Sequence, residues 1–111
     1  MGGLAARRKG SAWALKVKSW LEGYGHHVVP TMQITDAEDM LIAAIPWLSV
    51  EAKNHASMTL AAWVDQSERQ AATRGATVAV VVHHRKGKAS VDDAYVTMSG
   101  RSFAEMLRRT L

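Results

Sequence analysis

Apolar residues recur at helical spacing through Trp13, Ala14, Val17, Trp20 and Leu21, with Lys16 and Lys18 between them. Ser11 stands where a cap belongs, so the pattern predicts a first helix that Gly23 and Gly25 stop. The period then shortens. His26-His27-Val28-Val29 before Pro30 reads as a strand, because valine favours pleated packing and a residue preceding proline is held extended. Residues 33–38 form a polar connection, after which Met40–Ala44 and Leu48–Ala52 read as an antiparallel hairpin turning at Pro46. The polar stretch Asn54–Ser57 leads into a second helix over Thr59–Thr73, with Leu60, Trp63, Val64, Ser67 and Ala71 on its inner side and Arg74-Gly75 at its end. Ala76–Val82 is apolar on both faces and rich in valine, as a central strand covered by helices should be. A basic hairpin from His83 to Asp93 follows, then a last strand over Ala94–Met98. Ser99 caps a final helix whose Phe103, Met106, Leu107 and Leu111 make one stripe. The order αβββαββα is that of an α/β domain, with a mixed central sheet of about five strands flanked by helices.

With 111 residues the chain is sized for one core, so a single domain over residues 1–111 is expected, residues 1–7 being an arm ahead of the first helix. A hydrophobic fraction of 48% against 22% charged residues describes a globular chain, and no apolar stretch approaches the roughly 20 residues that cross a bilayer. Ala5-Ala6-Arg7-Arg8-Lys9-Gly10 runs into an amphipathic pattern without a secretory apolar region, which points to the cytoplasm and to no membrane partner. The absence of cysteine excludes disulfides, thiolate zinc sites and cysteine nucleophiles. A net charge of +4, concentrated at Arg7-Arg8-Lys9, Lys16/Lys18, His83–Lys88 and Arg108-Arg109, suits a polyanionic partner as well as it suits solvated faces.

The densest candidate chemistry is Glu51-Ala52-Lys53, at the end of an apolar run. In a strand, the period of two puts Glu51 and Lys53 side by side on one face. Together with Asp39 they would offer two carboxylates to a divalent cation, and an ammonium to orient water or to offset charge on a phosphate under attack. The plain alternative is a cross-strand charge pair, with Asp39 capping a loop. His26-His27 and His83-His84 are adjacent pairs whose members face opposite ways in a strand, which is poor geometry for chelation. Gln66 and Gln70, one helical turn apart, face either a cleft or water. His55, just past Lys53, and His83 or His84, with Arg85, Lys86 and Lys88 in the basic hairpin, are candidates for backbone phosphate contacts. Trp13, Trp20, Trp47 and Trp63 read as core.

Lys9-Gly10 at the first helix, Asp39 leading a hydrophobic strand, and Glu51-Ala52-Lys53-Asn54 ending the next resemble the PD-(D/E)XK nucleases, and among them the small archaeal-type and phage Holliday junction resolvases. Leu60-Ala61-Ala62-Trp63-Val64-Asp65 and Asp93-Ala94-Tyr95-Val96-Thr97-Met98 extend the likeness over nearly the whole chain. The resemblance implies a restriction-endonuclease-like fold and a homodimer cutting branched or four-way DNA, in the host cytoplasm if the chain is phage-encoded. It also implies Mg²⁺, replaceable by Mn²⁺, held by Asp39, Glu51 and the Ala52 carbonyl, with Lys53 as the third catalytic residue. DNA would be gripped by Arg7, Arg8, Lys9, His55, Gln66, His84, Arg85, Lys86 and Lys88.

This chain departs from the pattern twice. Where such nucleases carry a glutamate in the first helix it has Ala14, expected beside the metal site because it shares the inward stripe with Val17 and Leu21. The family's spacing would put the aspartate at Leu41; Asp39 is preferred because it precedes a strand, with Asp36 and Glu38 in reserve. A protein of this fold that binds branched DNA with weak or lost cleavage is the second reading, and a scaffold with incidental basic charge the third.

Overall fold

In the computed structural model of the chain, residues 3–30 and 39–111 are described, with side chains from Ala12 onward except Pro30. Strands β1 (Val28–Pro30), β2 (Asp39–Ile42), β3 (Ile45–Lys53), β4 (Val78–His83) and β5 (Tyr95–Thr97) form one sheet in the order β1-β2-β3-β4-β5. The first three are joined by antiparallel pairing, β4 runs parallel to β3, and β5 returns antiparallel to β4. The one parallel step needs a long crossover, which helix α2 (Leu60–Thr73) supplies. Helix α1 (Gly3–Gly23) precedes the sheet, α3 (Gly100–Arg109) follows it, and a 3-10 turn over Val91–Asp93 interrupts the connection from β4 to β5. The fold is therefore a single α/β domain with a mixed sheet between helices, compatible in shape with the broad PD-(D/E)XK class. Among the described residues no helix is long and apolar enough to cross a membrane.

Glycine ends both long helices by the same device. Gly25 at φ 91° and Gly75 at φ 74° take the left-handed conformation that a side chain disfavours. In α1 the amides of Gly25 and His26 reach back to the Glu22 and Leu21 carbonyls; in α2 those of Gly75 and Ala76 reach Ala72 and Ala71. Each pair satisfies carbonyls the helix would otherwise leave open. At the other end of the chain Ser99 caps α3 as expected, accepting from the Ser102 amide at 3.1 Å.

The sheet has two chemically opposite faces. On one, Met40 and Ile42 of β2, Val50 and Ala52 of β3, and Val78, Val80 and Val82 of β4 pack with Trp13, Ala14 and Val17 of α1 in the main apolar cluster. Trp13 also donates its indole N–H to the Val82 carbonyl at 3.1 Å, so its one polar atom is satisfied in the core. Trp20 and Tyr24, further along α1, both donate to Asp92 Oδ1, at 2.7 and 3.0 Å, tying the helix to the 3-10 turn. Those two hydrogen bonds hold the Asp92 carboxyl below its ordinary range. By strand alternation the opposite face carries Asp39, then Ser49, Glu51 and Lys53, then Ala79, Val81 and His83. Helix α2 lies over β3 and β4 and buries Trp63, Ser67 and Ala71. Here the apolar cluster is only Ala71, Ala76 and Ala79.

Several expectations need correction. Helix α1 starts at Gly3, so Ser11 lies inside it instead of capping it, and residues 3–7, expected as an arm, are helical. Pro46 lies within β3, not in the turn, which falls at Ala43-Ala44. The pairing jumps from Leu41↔Ser49 to Ile42↔Ile45, and such an irregularity tolerates a residue that cannot donate to the ladder. The single α3 stripe divides: Met106 packs against the main cluster, while Phe103 and Leu107 are about half exposed, Leu111 is fully so, and Ser102 is the buried residue of the helix.

Candidate functional site

Register brings the two acids together. Asp39 at the start of β2 stands directly opposite Glu51 of β3, and directly opposed residues in an antiparallel pair have Cβ atoms about 4.5–5.5 Å apart. Lys53 follows on the same face, its Nζ 3.2 Å from Glu51 Oε1. Arg74, at the carboxyl end of α2, places Nη2 2.8 Å from Asp39 Oδ2. Among the described residues, two carboxylates and two cations whose formal charges cancel thus make a four-charge cluster.

Burial gives this cluster its significance. Glu51 is 0% exposed, Asp39 4% and Lys53 8%, although charged side chains are seldom buried unless paired. The strand period puts Glu51 and Lys53 on one face, and the structure shows that face covered by α2, with both side chains inside the protein. Moving charge out of water costs several kcal/mol per ion, and an apolar set of equal volume is often as stable. The main apolar face is built largely from valine, whereas the opposite face of the same sheet carries the charges.

The polar neighbourhood continues around them. His83, buried and in register with Lys53 on the adjacent parallel strand, shares a hydrogen bond with Thr97 Oγ1 at 2.8 Å. Its ring packs against Trp63 and Tyr95, with centroids 5.5 and 5.6 Å away, and His55 packs on the far side of Trp63 at 5.6 Å. Burial holds the His83 imidazole below its ordinary value, favouring the neutral ring. Arg74 Nε and Nη1, His83 Nδ1 and Ser67 Oγ are buried with no hydrogen-bond partner among the described residues. Such a concentration of orphan polar atoms on one face is unusual in a native interior. Behind it, Ser102 accepts from the Ala79 amide and donates to Glu68, both at 3.1 Å, and Ser99 also donates to Glu68, so α3 is fixed to β4 and α2.

Some expected residues converge here and others do not. Asp39, Glu51 and Lys53 do, with Ala52 between the latter two; its own side chain points into the apolar cluster. Gln70 lies along α2 between Ser67 and Arg74 with its carbonyl oxygen buried, whereas Gln66, one turn earlier, is half-buried. His55, His84, Arg85 and Lys86 line one pocket just past the ends of β3 and β4; Lys88 is exposed on the same loop. The side chains of Arg7, Arg8 and Lys9, and all of Asp36 and Glu38, lie outside the described residues.

Ala14 is a correction. It packs beside Trp13 and Val17 against Val50 and Ala52, on the opposite side of the sheet from Glu51, and is 6% exposed. A residue there faces valine, not carboxylate. Arg74 is the member that sequence reasoning missed, and His83 is read there only as an alternative to His84 for contacting phosphate. Arg74 reads locally as a helix stop beside Gly75, and His83 as the first residue of a basic loop; only the β3–β4 register and the return of α2 bring them to the acids.

Among the described residues no group of three or more His, Asp or Glu side chains has the arrangement of a metal site. The donors that are present, two opposed carboxylates, match hard oxygen-seeking cations in kind. A cation entering there would take Asp39 Oδ2 in competition with Arg74. No family profile, curated protein or solved structure matches the chain.

Proposed function

We propose that the protein is a metal-dependent, structure-selective endonuclease that hydrolyses phosphodiester bonds in branched DNA such as four-way junctions. The observation that carries this reading is the direct pairing of buried Asp39 with buried Glu51, with Lys53 3.2 Å from Glu51, on the polar face of the sheet. Asp39, Glu51 and the Ala52 carbonyl are the donors for Mg²⁺ or Mn²⁺. Such an ion, when bound, supplies positive charge to the scissile phosphate and acidifies a water. Lys53 orients the attacking water or offsets charge on the phosphate, and Arg74, released from Asp39, is a second cation for the same purpose. The pocket residues His55, His84, Arg85 and Lys86, with Gln66, Lys88 and the basic N-terminal residues Arg7, Arg8 and Lys9, grip backbone by charge and hydrogen bonding, without base readout.

The unit that acts is a homodimer, since a two-fold enzyme matches a nearly two-fold junction. Phe103 and Leu107, four residues apart on one face of α3 and each about half exposed, supply an apolar surface for a second copy.

The second reading, a branched-DNA-binding protein with weak or lost cleavage, is favoured by Arg74 on Asp39, which occupies a carboxylate oxygen that a metal would need. A mobility-shift assay on a four-way junction and on linear duplex, with and without Mg²⁺, separates the two. Junction-selective binding with Mg²⁺-dependent cleavage supports the nuclease; selective binding without cleavage supports the second reading; neither result rejects both.

A further inference from the structure

Immediately beyond the acid pair, where the parallel strands β3 and β4 end, lies a pocket of about 540 Å³. It is within the size range of small-molecule sites, about 300–1,000 Å³. Asn54 and His84, the residues that follow β3 and β4, line it, and the His84 amide donates to the Lys53 carbonyl at 3.1 Å, so the pocket opens one residue past the catalytic lysine of the nuclease reading.

Two kinds of chemistry meet there. His55, His84, Arg85 and Lys86 supply positive charge or N–H donors, and among the described residues no lining side chain is acidic. Tyr95 and Met58, 48% and 60% exposed, supply apolar surface, and Tyr95 belongs to the short last strand of the sheet. The Arg85 guanidinium carbon lies 5.3 Å from the Tyr95 ring centroid, and His83 packs against the same ring, so the ring is held in place. Trp13 packs edge-on to His84 at 5.1 Å and fixes that side chain too. Simple attraction for a phosphate backbone would use the cations but has no use for an exposed ring and a methionine beside them. A planar base joined to a phosphate uses both.

We infer that this pocket holds a single unpaired nucleotide of the DNA substrate, its base against Tyr95 and Met58 and its phosphate toward Lys86 and His84. This rests on the nuclease reading and narrows it. A base inside a duplex is stacked and paired, and cannot enter; a base at an open branch point or a flap can, at little cost. The preferred substrate is therefore a branch with at least one unpaired nucleotide, its neighbouring phosphodiester held at the Lys53 end of β3.

The test measures binding of the full chain in EDTA, so that cleavage plays no part. Three labelled DNAs are compared: a fully paired duplex, a fully paired four-way junction, and a duplex bearing a one-nucleotide flap of 2-aminopurine. The expected result is about tenfold tighter binding of the flap than of the paired duplex, with quenching of the 2-aminopurine, since stacking on one aromatic ring is worth roughly that factor. Tyr95→Ala, checked for folding by circular dichroism, should lose this preference while its affinity for the paired duplex stays within about twofold. The exposed Lys86→Ala should weaken flap binding without abolishing the quench. Thymidine monophosphate should compete with the flap at concentrations where inorganic phosphate does not. Equal affinity for flap and paired DNA with no quench, a preference that survives Tyr95→Ala, or equal competition by inorganic phosphate would each overturn the nucleotide pocket and leave the nuclease reading standing. Failure to bind any of the three DNAs would overturn both.

Discussion

Replacing Lys53 by methionine keeps most of the side chain's length and removes its charge. Because Glu51 is 0% exposed and its Oε1 lies 3.2 Å from Lys53 Nζ, the change takes a cation from a fully buried carboxylate and unbalances the four-charge cluster. Losing one member of a buried pair costs about 3–5 kcal/mol, a large part of the roughly 5–15 kcal/mol that holds a domain together. For a chain of this size that is a fall in Tm of roughly 10–25 °C. Replacing both members by apolar residues of similar volume is close to neutral, so Glu51→Leu/Lys53→Met should recover most of the loss. Urea denaturation of wild type, single and double variants gives the free energies, with unchanged m values as the check that compactness is preserved. A loss below about 1 kcal/mol for Lys53→Met, the worth of an exposed ion pair, would refute the buried cluster, and so would a double variant no more stable than the single.

Three further outcomes follow from the same geometry. Ala14→Glu should destabilise the domain by several kcal/mol, because it buries a carboxylate among Trp13, Val17, Val50 and Ala52; a stable variant with raised Mg²⁺ affinity by calorimetry would contradict that placement. His83 refuses a proton that the unfolded chain accepts, so stability should be complete above the ordinary imidazole value of about 6.5 and decline as pH falls below it toward the depressed folded value. His83→Gln should flatten this decline in denaturation midpoints measured between pH 7.5 and 5. If α3 forms the dimer surface, Phe103→Glu/Leu107→Glu should sediment as a monomer with an unchanged circular dichroism spectrum, and a wild type that is monomeric at micromolar concentration with junction DNA present would remove the dimer.

The order of elements was legible because each segment carries its own period: the valines of β4, the spacing of Trp63, Ser67 and Ala71 in α2, and the Ser99 cap all act locally. Glu51 and Lys53 were legible as a same-face pair for the same reason, and Asp39 could be named from its position ahead of a strand. What escaped is what depends on partners far along the chain. Pro46 looks like a turn residue until the irregular β2–β3 register gives it a place in a strand. The α3 stripe has ideal amphipathic spacing, yet the face that docks is set by Ser102 reaching the Ala79 amide and Glu68. Which side of the sheet α1 covers is likewise a tertiary fact, and it decides that Ala14 meets valines. Arg74 reaches Asp39 across 35 residues of sequence, a distance at which no periodicity carries information.

The most direct measurement of the central claim is cleavage of a labelled four-way junction, and of the same junction with a one-nucleotide flap, by wild type and Glu51→Gln in Mg²⁺, with binding to each DNA measured in parallel. The account predicts Mg²⁺-dependent scission by wild type, and a fall of at least about a hundredfold in Glu51→Gln with junction affinity kept within a few fold, since the glutamine preserves shape but removes a ligand charge beside Asp39. Cleavage by a folded Glu51→Gln at the wild-type rate would contradict it, as would a wild type that binds the junction and cuts neither DNA at any Mg²⁺ or Mn²⁺ concentration.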